Sequence, residues 1–444
     1  MNNITKPVTV NVLFRKLPIL TCLLLLSCSS LLVPEEPDHD KFIFEEPFLP
    51  DIKADKPKSI FVFIDGTGNN RKIPTNIYRL FQELVSGNND KHTVATYIEG
   101  VGNSDSPISE KVFGFGMDDR IAQAYAFVMQ QYRHGDSVYV FGFSRGAYAA
   151  RSLAGLISYA GVLKVSDEER KNKDILISIG KEVLELSKSA SDSSFADQWK
   201  NWKPKDTPLL ANTLHDATIN DKKERASEPV EIKFLGVWET VPNSSTAGLL
   251  GFLGSGRYKT ASYPPIRHIA HAIASDEKRS LFKPRFLSPA LNPDYTTLNE
   301  LAFSGSHADV GGGTNDLNND LPNISLNWML NLLSKSYKFP HPAFQNKYKE
   351  NPKGLAHLSI SEFDGNLDSD CQDRELSSIP EHASIAERKK AGAVELRVCE
   401  AVLSGIDGKS CKRDSNIDGI FQIKKTEQAN INCDYIKQQK WIIE

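Results

Sequence analysis

Short, mostly apolar runs recur along the first three quarters of the chain. They lie at residues 60–64, 94–98, 137–141, 232–238 and 301–303. Runs of this length predict strands, and the lack of alternation with polar residues indicates that both faces are buried. Strands buried on both faces are typical of a mostly parallel sheet.

Helical patterns separate these runs. Apolar residues recur at helical spacing over 121–132, and Asp118 and Asp119 before them suit the positive end of a helix dipole. The apolar residues of 324–333 and the stretch 266–274 also predict helices. Alternating strands and helices predict one α/β domain, which we place at residues 58–340.

Residues 165–228 interrupt this alternation. They are charged and helix-prone, and they follow the helix predicted over 147–157. An insertion at this point of an α/β domain can form a cap over a catalytic site. The stretch therefore predicts either a helical cap or an insertion that only extends the surface.

The N-terminus has the features of a targeting segment. Basic residues precede an apolar run at 17–26, which is too short to span a bilayer comfortably. The run ends in Leu-Leu-Ser followed by Cys28, which resembles the bacterial lipobox. We predict that residues 1–28 are a lipoprotein signal peptide and that Cys28 carries the lipid. A secretory signal cut elsewhere and an uncut anchor are the alternatives.

The segment after Cys28 bears on location. Ser29 is not an aspartate, so retention in an inner membrane is not signalled. Residues 29–57 are rich in proline and acidic side chains, which predicts a tether. We therefore expect a protein anchored by lipid in a bacterial cell envelope, at the outer membrane or in the periplasm where two membranes exist.

Composition limits the class of partner. The 444 residues carry a net charge of -3 and are 40% hydrophobic, so a globular core is expected without a basic face. We therefore predict no nucleic-acid partner, because nucleic-acid binding requires a basic face.

The C-terminal region, residues 341–444, contains four of the six cysteines. An even number of cysteines in an exported protein predicts two disulfides. A zinc site is the alternative, but no Cys-x-x-Cys pair is present. The four are Cys371, Cys399, Cys411 and Cys433.

Acidic residues at 364–375 have the ligand spacing of a twelve-residue calcium loop. Ser369 stands where that loop requires glycine, and no clear helix precedes it. A solvated acidic loop is the favoured interpretation, and we predict no metal and no cofactor.

The segment 142–146, Gly-Phe-Ser-Arg-Gly, carries the main chemical signal. It follows a predicted strand and precedes a predicted helix, which is the context of a nucleophile elbow. Glycines on both sides allow a sharp turn where a Cβ would clash. We predict that Ser144 is a nucleophile and that the N–H of Arg145, at the helix N-terminus, faces a developing oxyanion.

A nucleophilic serine needs a base and an acid, which follow it in this chain order. His307 is the predicted base, because it follows a strand and opens a glycine-rich segment. Glu239 is the predicted acid, because it ends the strand 232–238. His271 and Asp276 are the alternatives for base and acid.

A second oxyanion donor is expected on a loop after an earlier strand. Asp65-Gly66-Thr67-Gly68-Asn69 follows the first strand, and Gly66 and Thr67 can turn their N–H groups toward the site. A phosphate-binding loop would end in Gly-Lys-Ser/Thr, which is absent here.

Residues 58 to about 315 resemble the α/β-hydrolase family typified by type VI secretion phospholipase effectors. The resemblance implies an α/β-hydrolase fold with a mostly parallel central sheet, a Ser, acid and His triad, and hydrolysis of lipid esters. It rests on six segments in the same order, at 63–69, 75–80, 142–151, 234–241, 271–279 and 305–313.

Two departures from this family affect the interpretation. The family usually has Asp where Glu239 stands, so the acid is one methylene longer. The effectors are delivered toxins, whereas this chain has its own export signal. A lipase, esterase or phospholipase is the expected function. A non-catalytic envelope binding protein, a peptidase and a carbohydrate esterase on the same fold are the alternatives.

Overall fold

The central strands form mainly where the sequence supplies short, mostly apolar runs. The computed structural model describes residues 56–69, 71–86, 92–100, 116–216, 225–242, 258–277, 279, 282–314, 319–339, 347–354, 356–358, 374–391 and 441–443. Within these ranges the strands are β1 Ser59–Ile64, β2 Thr93–Ile98, β3 Ser137–Phe143, β4 Val162–Leu163, β5 Ser227–Glu228, β6 Ile232–Trp238, β7 His268–Ala274, β8 Thr297–Phe303, β9 Ala356–Leu358 and β10 Trp441–Ile443.

Six of these strands form one sheet, in the order β2-β1-β3-β6-β7-β8. Every neighbouring pair is parallel, which confirms the mostly parallel sheet predicted from the sequence. The carboxyl ends of β3, β6 and β8 therefore lie at one edge. That edge is where an open α/β sheet places its ligand sites.

Helices cover both faces of this sheet. In the described part of the chain they are α1 Asn76–Val85, α2 Met117–Gln131, α3 Arg145–Ala160, α4 Lys173–Ser189, α5 Ala196–Lys200, α6 Ala211–Asp216, α7 His307–Gly311, α8 Pro322–Leu333 and α9 Ala383–Lys390. Two buried hydrophobic clusters result. One packs α2 and α3 on the sheet, and the other packs α1 and α8 on it.

The helix predicted over 266–274 is wrong. The segment is strand β7, which pairs in parallel with β6 and β8. Its residues from Ile269 onward are buried, because neighbouring strands flank it and helices cover it. A short apolar run that is buried on all sides has no periodicity that separates a strand from a helix, and its length favoured the strand.

The insertion at 165–228 is mostly helical in its described part, in agreement with its helix-prone sequence, and it ends in the short strand β5. Helix α4 packs along α2 so closely that a Cβ on Gly180 would lie 2.8 Å from the carbonyl oxygen of Ala122. Lys188 near the end of α4 binds Asp118 at the start of α2, with an N–O distance of 2.7 Å. The contact with α2 orders the insertion, and its role as a cap stays a prediction.

Part of the C-terminal region packs against the edge strand β8. The N–H of Ala302 donates to Pro380 and the N–H of His382 donates to Ala302, at 2.9 and 2.8 Å. The His382 ring stacks on Phe303, with ring centroids 4.8 Å apart. The C-terminal region therefore extends to the same end of the sheet as the candidate site.

Several predictions fall outside the described residues. They concern the signal peptide with Cys28, and the two disulfides among Cys371, Cys399, Cys411 and Cys433. The acidic residues of the calcium alternative, apart from Glu375, lie there too. Of the helices within the described ranges, none has the length and apolar character needed to cross a membrane.

Candidate active site

Ser144 occupies the turn between strand β3 and helix α3. Its φ of 57° and ψ of −125° are rare for a residue with a side chain. A backbone held in this way costs about 1–3 kcal/mol and persists only where the surroundings impose it. The turn places Ser144 at the N-terminus of α3, as a nucleophile elbow requires.

Gly146 shows why this turn can form. A Cβ at this position would lie 2.3 Å from the carbonyl oxygens of Ile64 and Asp65 at the end of β1. Helix α3 therefore begins in direct contact with the backbone of β1, and only glycine allows it. The contact also brings Gly66 beside Ser144, because a Cβ on Gly66 would lie 3.0 Å from the Ser144 Cβ.

Glu239 follows β6, the strand beside β3. The N–H of Ser144 donates to the carbonyl of Trp238 at 3.0 Å, so the two strand ends are joined. Glu239 is fully buried and has a φ of 50°, which makes it a second residue with strained backbone at this edge.

His307 opens helix α7, just after strand β8. Its Nδ1 lies 2.9 Å from Oε2 of Glu239, so the predicted base and acid are hydrogen-bonded. Its ring lies between two phenylalanines, with centroids 4.6 Å from Phe143 and 4.9 Å from Phe282. The rings and the carboxylate together fix the orientation of the imidazole.

The electrostatics of this pair suit a neutral base beside a charged acid. Burial lowers the pKa of His307, while the hydrogen bond and charge of Glu239 oppose this change. Burial raises the pKa of Glu239, but the charge of Arg374 and the hydrogen bond from His307 outweigh it, and the pKa lies below its usual range. Neutral imidazole is the form that can accept a proton.

The Ser144 hydroxyl makes no hydrogen bond to any of the described residues, and neither does Nε2 of His307. The structure brings Phe143, the neighbour of Ser144, into contact with the His307 ring, but it does not join the two reactive atoms. Hydrogen bonds of this type are often long without substrate and tighten when it binds.

His271, the alternative base, is engaged at both ring nitrogens. Nδ1 lies 2.8 Å from Glu300, and Nε2 accepts the N–H of Thr240 at 3.1 Å. The side chain is fully buried in the sheet. An imidazole with both nitrogens occupied has no lone pair free for a serine proton.

Asp276, the alternative acid, binds a backbone group. Its Oδ2 accepts the N–H of Gly305 at 2.6 Å and the hydroxyl of Ser275 at 2.8 Å. The bond with Gly305 holds the loop after β7 against the loop after β8. The imidazole of His307 is instead bonded to Glu239.

The two predicted donor residues of the loop after β1, Gly66 and Thr67, differ in their hydrogen bonding. The N–H of Gly66 donates to Asp65 at 2.7 Å, and Asp65 also accepts the hydroxyls of Thr75 and Tyr97. Burial raises the pKa of Asp65 to about 6, against the effect of these donors. By contrast, the buried hydroxyl of Thr67 has no partner in the described structure.

Arg374 is a site residue that sequence reasoning missed. Its guanidinium donates to both carboxylate oxygens of Glu239, at 2.7 and 2.9 Å. A single arginine among acidic residues, far along the chain, gives no pattern that a sequence reading could use. Within the described ranges, no group of His, Cys, Asp and Glu residues could hold a metal ion.

Comparison with known proteins gives a family for this region. The family described as "T6SS, Phospholipase effector Tle1-like, catalytic domain" matches residues 58–332. An uncharacterized protein of Saccharomyces cerevisiae is 27% identical over an alignment of 259 residues that covers 54% of this chain and 34% of that protein. The chain thus matches about a third of that relative's length.

Similar solved structures have low identity. An uncharacterized protein from Pseudomonas aeruginosa has a TM-score of 0.40 at 16% identity, over 67% of this chain and 49% of that chain. The Tle1 effector bound to the VgrG spike from the type 6 secretion system has a TM-score of 0.30 at 18% identity, over 60% of this chain and 52% of that chain. A thermophilic esterase from Thermogutta terrifontis has a TM-score of 0.31 at 12% identity, over 67% of this chain and 90% of that chain. Because the matched residues 58–332 make up more than half of the chain, it belongs to the family of T6SS Tle1-like phospholipase effector catalytic domains.

Proposed function

We propose that this chain is a serine hydrolase that cleaves carboxylic esters of lipids. The observation that carries the proposal is the 2.9 Å bond between His307 and Glu239, beside the strained turn of Ser144. Membership of a phospholipase effector family supports the lipid class of substrate.

The proposed mechanism is acyl transfer to Ser144. The Ser144 oxygen attacks the ester carbonyl while its proton passes to Nε2 of His307. Glu239 accepts the hydrogen bond of Nδ1–H and stabilises the imidazolium that forms. His307 then gives the proton to the leaving alcohol, and water cleaves the acyl-enzyme by the reverse use of the same base.

The oxyanion of each tetrahedral intermediate needs donors beside Ser144. The N–H of Arg145 at the start of α3 is one, because the positive end of the helix dipole adds to its attraction. Since the N–H of Gly66 already donates to Asp65, we propose Thr67 as the donor from the loop after β1, with its N–H and its unpartnered buried hydroxyl as the two groups that can donate.

A substrate panel tests this function. The full-length chain and Ser144→Ala are compared on phospholipids of several head groups, triglycerides, short-chain esters, acetylated sugars and peptides. We expect turnover of lipid esters by the wild type only. Turnover of peptides or sugar esters alone would refute the lipid class, and equal turnover by Ser144→Ala would refute the serine mechanism. Inertness of both would favour a binding protein.

We also propose that the enzyme is held in a bacterial cell envelope by lipid on Cys28. The lipobox-like sequence before Cys28 supports this location. A fatty-acid probe should label the wild type and not Cys28→Ser, and equal labelling would contradict the anchor.

We propose in addition that the four C-terminal cysteines form two disulfides. Mass spectrometry of unreduced, alkylated protein tests this pairing, and four alkylated thiols would refute it.

A further inference from the structure

Arg374 binds the predicted catalytic acid, although it lies outside the residues that match the family. It lies beyond residue 332, in the C-terminal region. Its side chain is 5% exposed and therefore buried in the interior of the protein. Burying a guanidinium is costly unless charge and hydrogen bonds compensate it, and here both come from one carboxylate and two carbonyls.

The contacts of Arg374 converge on the groups around His307. Nη1 donates to Oε1 of Glu239 and to the carbonyl of Ala274, both at 2.7 Å. Nη2 donates to Oε2 of Glu239 at 2.9 Å and to the carbonyl of Phe282 at 2.7 Å. Phe282 in turn packs against the His307 ring. One guanidinium therefore binds the Glu239 carboxylate, the end of β7, and the backbone of the phenylalanine that packs on His307.

Glu239 needs such a partner for two reasons. A glutamate side chain has more rotamer freedom to lose than a shorter acid, and an unpaired buried carboxylate would be strongly destabilised. The N–H of Ala274 and Nδ1 of His307 each bind one oxygen of Glu239, and the planar fork of Arg374 binds both. A bidentate arginine fixes the plane of a carboxylate, which a single donor does not.

We propose that Arg374 is a positioning residue of the active site, supplied by the C-terminal region, that holds the Glu239 carboxylate in the orientation required by His307. This inference rests on the proposed catalytic roles of Glu239 and His307. It makes the C-terminal region part of the catalytic unit, so residues 58–332 alone lack a component of the site.

The charge of Arg374 has a consequence for the base. Four charged groups face the His307 side: Glu239 at Nδ1, Glu277 at its N–H, Arg279 over the Phe282 ring, and Arg374 behind Glu239. Because Arg374 opposes the charge of Glu239, it makes protonation of His307 harder. The neutral base therefore persists to lower pH than it would without this arginine.

The test compares Arg374→Gln, Arg374→Lys and the wild type, all as full-length chains, on one lipid ester. For Arg374→Gln we expect kcat to fall about 100-fold with KM nearly unchanged, because the acid is misplaced. The midpoint of the acidic limb of the kcat/KM pH profile should move to higher pH by about one unit, because His307 is then protonated more easily. Arg374→Lys keeps the charge without the fork, so its kcat should fall while its acidic limb stays near that of the wild type.

The matched control is Arg388→Gln. Arg388 also lies in the C-terminal region and donates to the carbonyls of Pro352 and Gly354, without contact to Glu239. It should lower the unfolding temperature without moving the acidic limb.

Wild-type kcat and pH profile in Arg374→Gln, with an inactive Ser144→Ala, would overturn the role of Arg374 and leave the proposed function standing. If Arg374→Gln does not fold, the test rests on Arg374→Lys. A wild-type kcat in that variant would equally overturn the positioning role of Arg374. Activity in Ser144→Ala would instead refute the proposed function.

Discussion

Nδ1 of His357 lies 2.6 Å from Oδ1 of Asp309, and both side chains are 1% exposed. Asp309 stands two residues after His307 and caps the same short helix through Ser306. His357 belongs to β9, in the C-terminal region. A buried pair therefore joins that region to the helix that begins with the proposed base.

We predict that His357→Ala destabilises the protein by about 3 kcal/mol, because it leaves Oδ1 of the buried Asp309 without the imidazole, while Oδ2 keeps the N–H groups of Ser306 and residue 357. Urea unfolding followed by circular dichroism measures this change. The control is His134→Ala, because His134 is 80% exposed and its contact with Glu228 is long, at 3.8 Å. Equal unfolding free energies for the two variants would contradict the prediction.

Ser144 and His307 should act as one unit. We predict that Ser144→Ala and His307→Ala each reduce kcat by several orders of magnitude and that the double variant is little worse, because losses within a triad are not additive. A fluorophosphonate probe should label the wild type at Ser144. Glu239→Gln should be less damaging if the acid only orients and stabilises the base.

Two further variants separate an error of residue from an error of class. His271→Gln and Asp276→Asn should keep Ser144-dependent activity, since His271 binds Glu300 and Asp276 binds Gly305. An inactive His271→Gln beside an active His307→Ala would move the base to His271. Fully additive losses in the double variant would show that Ser144 and His307 work independently.

The parts of this molecule that sequence predicted are those with a repeating local signal. The apolar runs of β1, β3 and β6 locate the core strands, and glycines at 142 and 146 locate the turn of Ser144. Strand β8 begins at Thr297, four residues before the predicted start. Its first four residues are mostly polar and partly or fully exposed at the sheet edge, so no apolar run marks them. Local patterns carry no information about such tertiary exposure.

The parts that sequence missed depend on distant contacts. Arg374 meets Glu239 across 135 residues, and His357 meets Asp309 across 48. Neither arginine nor histidine stands in a motif at these positions. Strand β7 was missed for a related reason, since its apolar run carries no periodicity and its pairing with β6 and β8 is what shows it to be a strand.

Asp65 should make stability depend on pH. Its pKa is about 6 in the folded state against 3.8 as the ordinary value, so the native state holds a proton that the unfolded chain loses between these values. Stability from this group is therefore present below pH 3.8 and is lost as the pH rises through 6. The difference corresponds to about 3 kcal/mol.

We predict that the unfolding free energy of the wild type, relative to Asp65→Asn, falls by about 2 kcal/mol between pH 4 and pH 7, because part of the difference is already lost at pH 4. The asparagine does not titrate, and other groups are common to both proteins. A difference between the wild type and Asp65→Asn that is constant with pH would contradict the prediction, because the Asp65 carboxyl would then titrate alike in both states.

Thr67 offers a test in which activity and stability change in opposite directions. Its buried hydroxyl has no partner in the described part of the chain, which costs stability, and it lies on the loop beside Ser144. Thr67→Val removes this hydroxyl with little change of volume. We predict that kcat falls about 100-fold through loss of an oxyanion donor, with KM nearly constant. We also predict that the unfolding free energy rises by about 1 kcal/mol.

Thr67→Ser is the matched control, because it keeps the hydroxyl and loses only a methyl group. Its kcat should stay within about tenfold of the wild type, and its unfolding free energy should not rise. If the serine variant is as inactive as the valine variant, the methyl group and not the hydroxyl matters to the reaction. If Thr67→Val keeps wild-type kcat, the hydroxyl is no donor to the oxyanion, and only backbone N–H groups remain for that role.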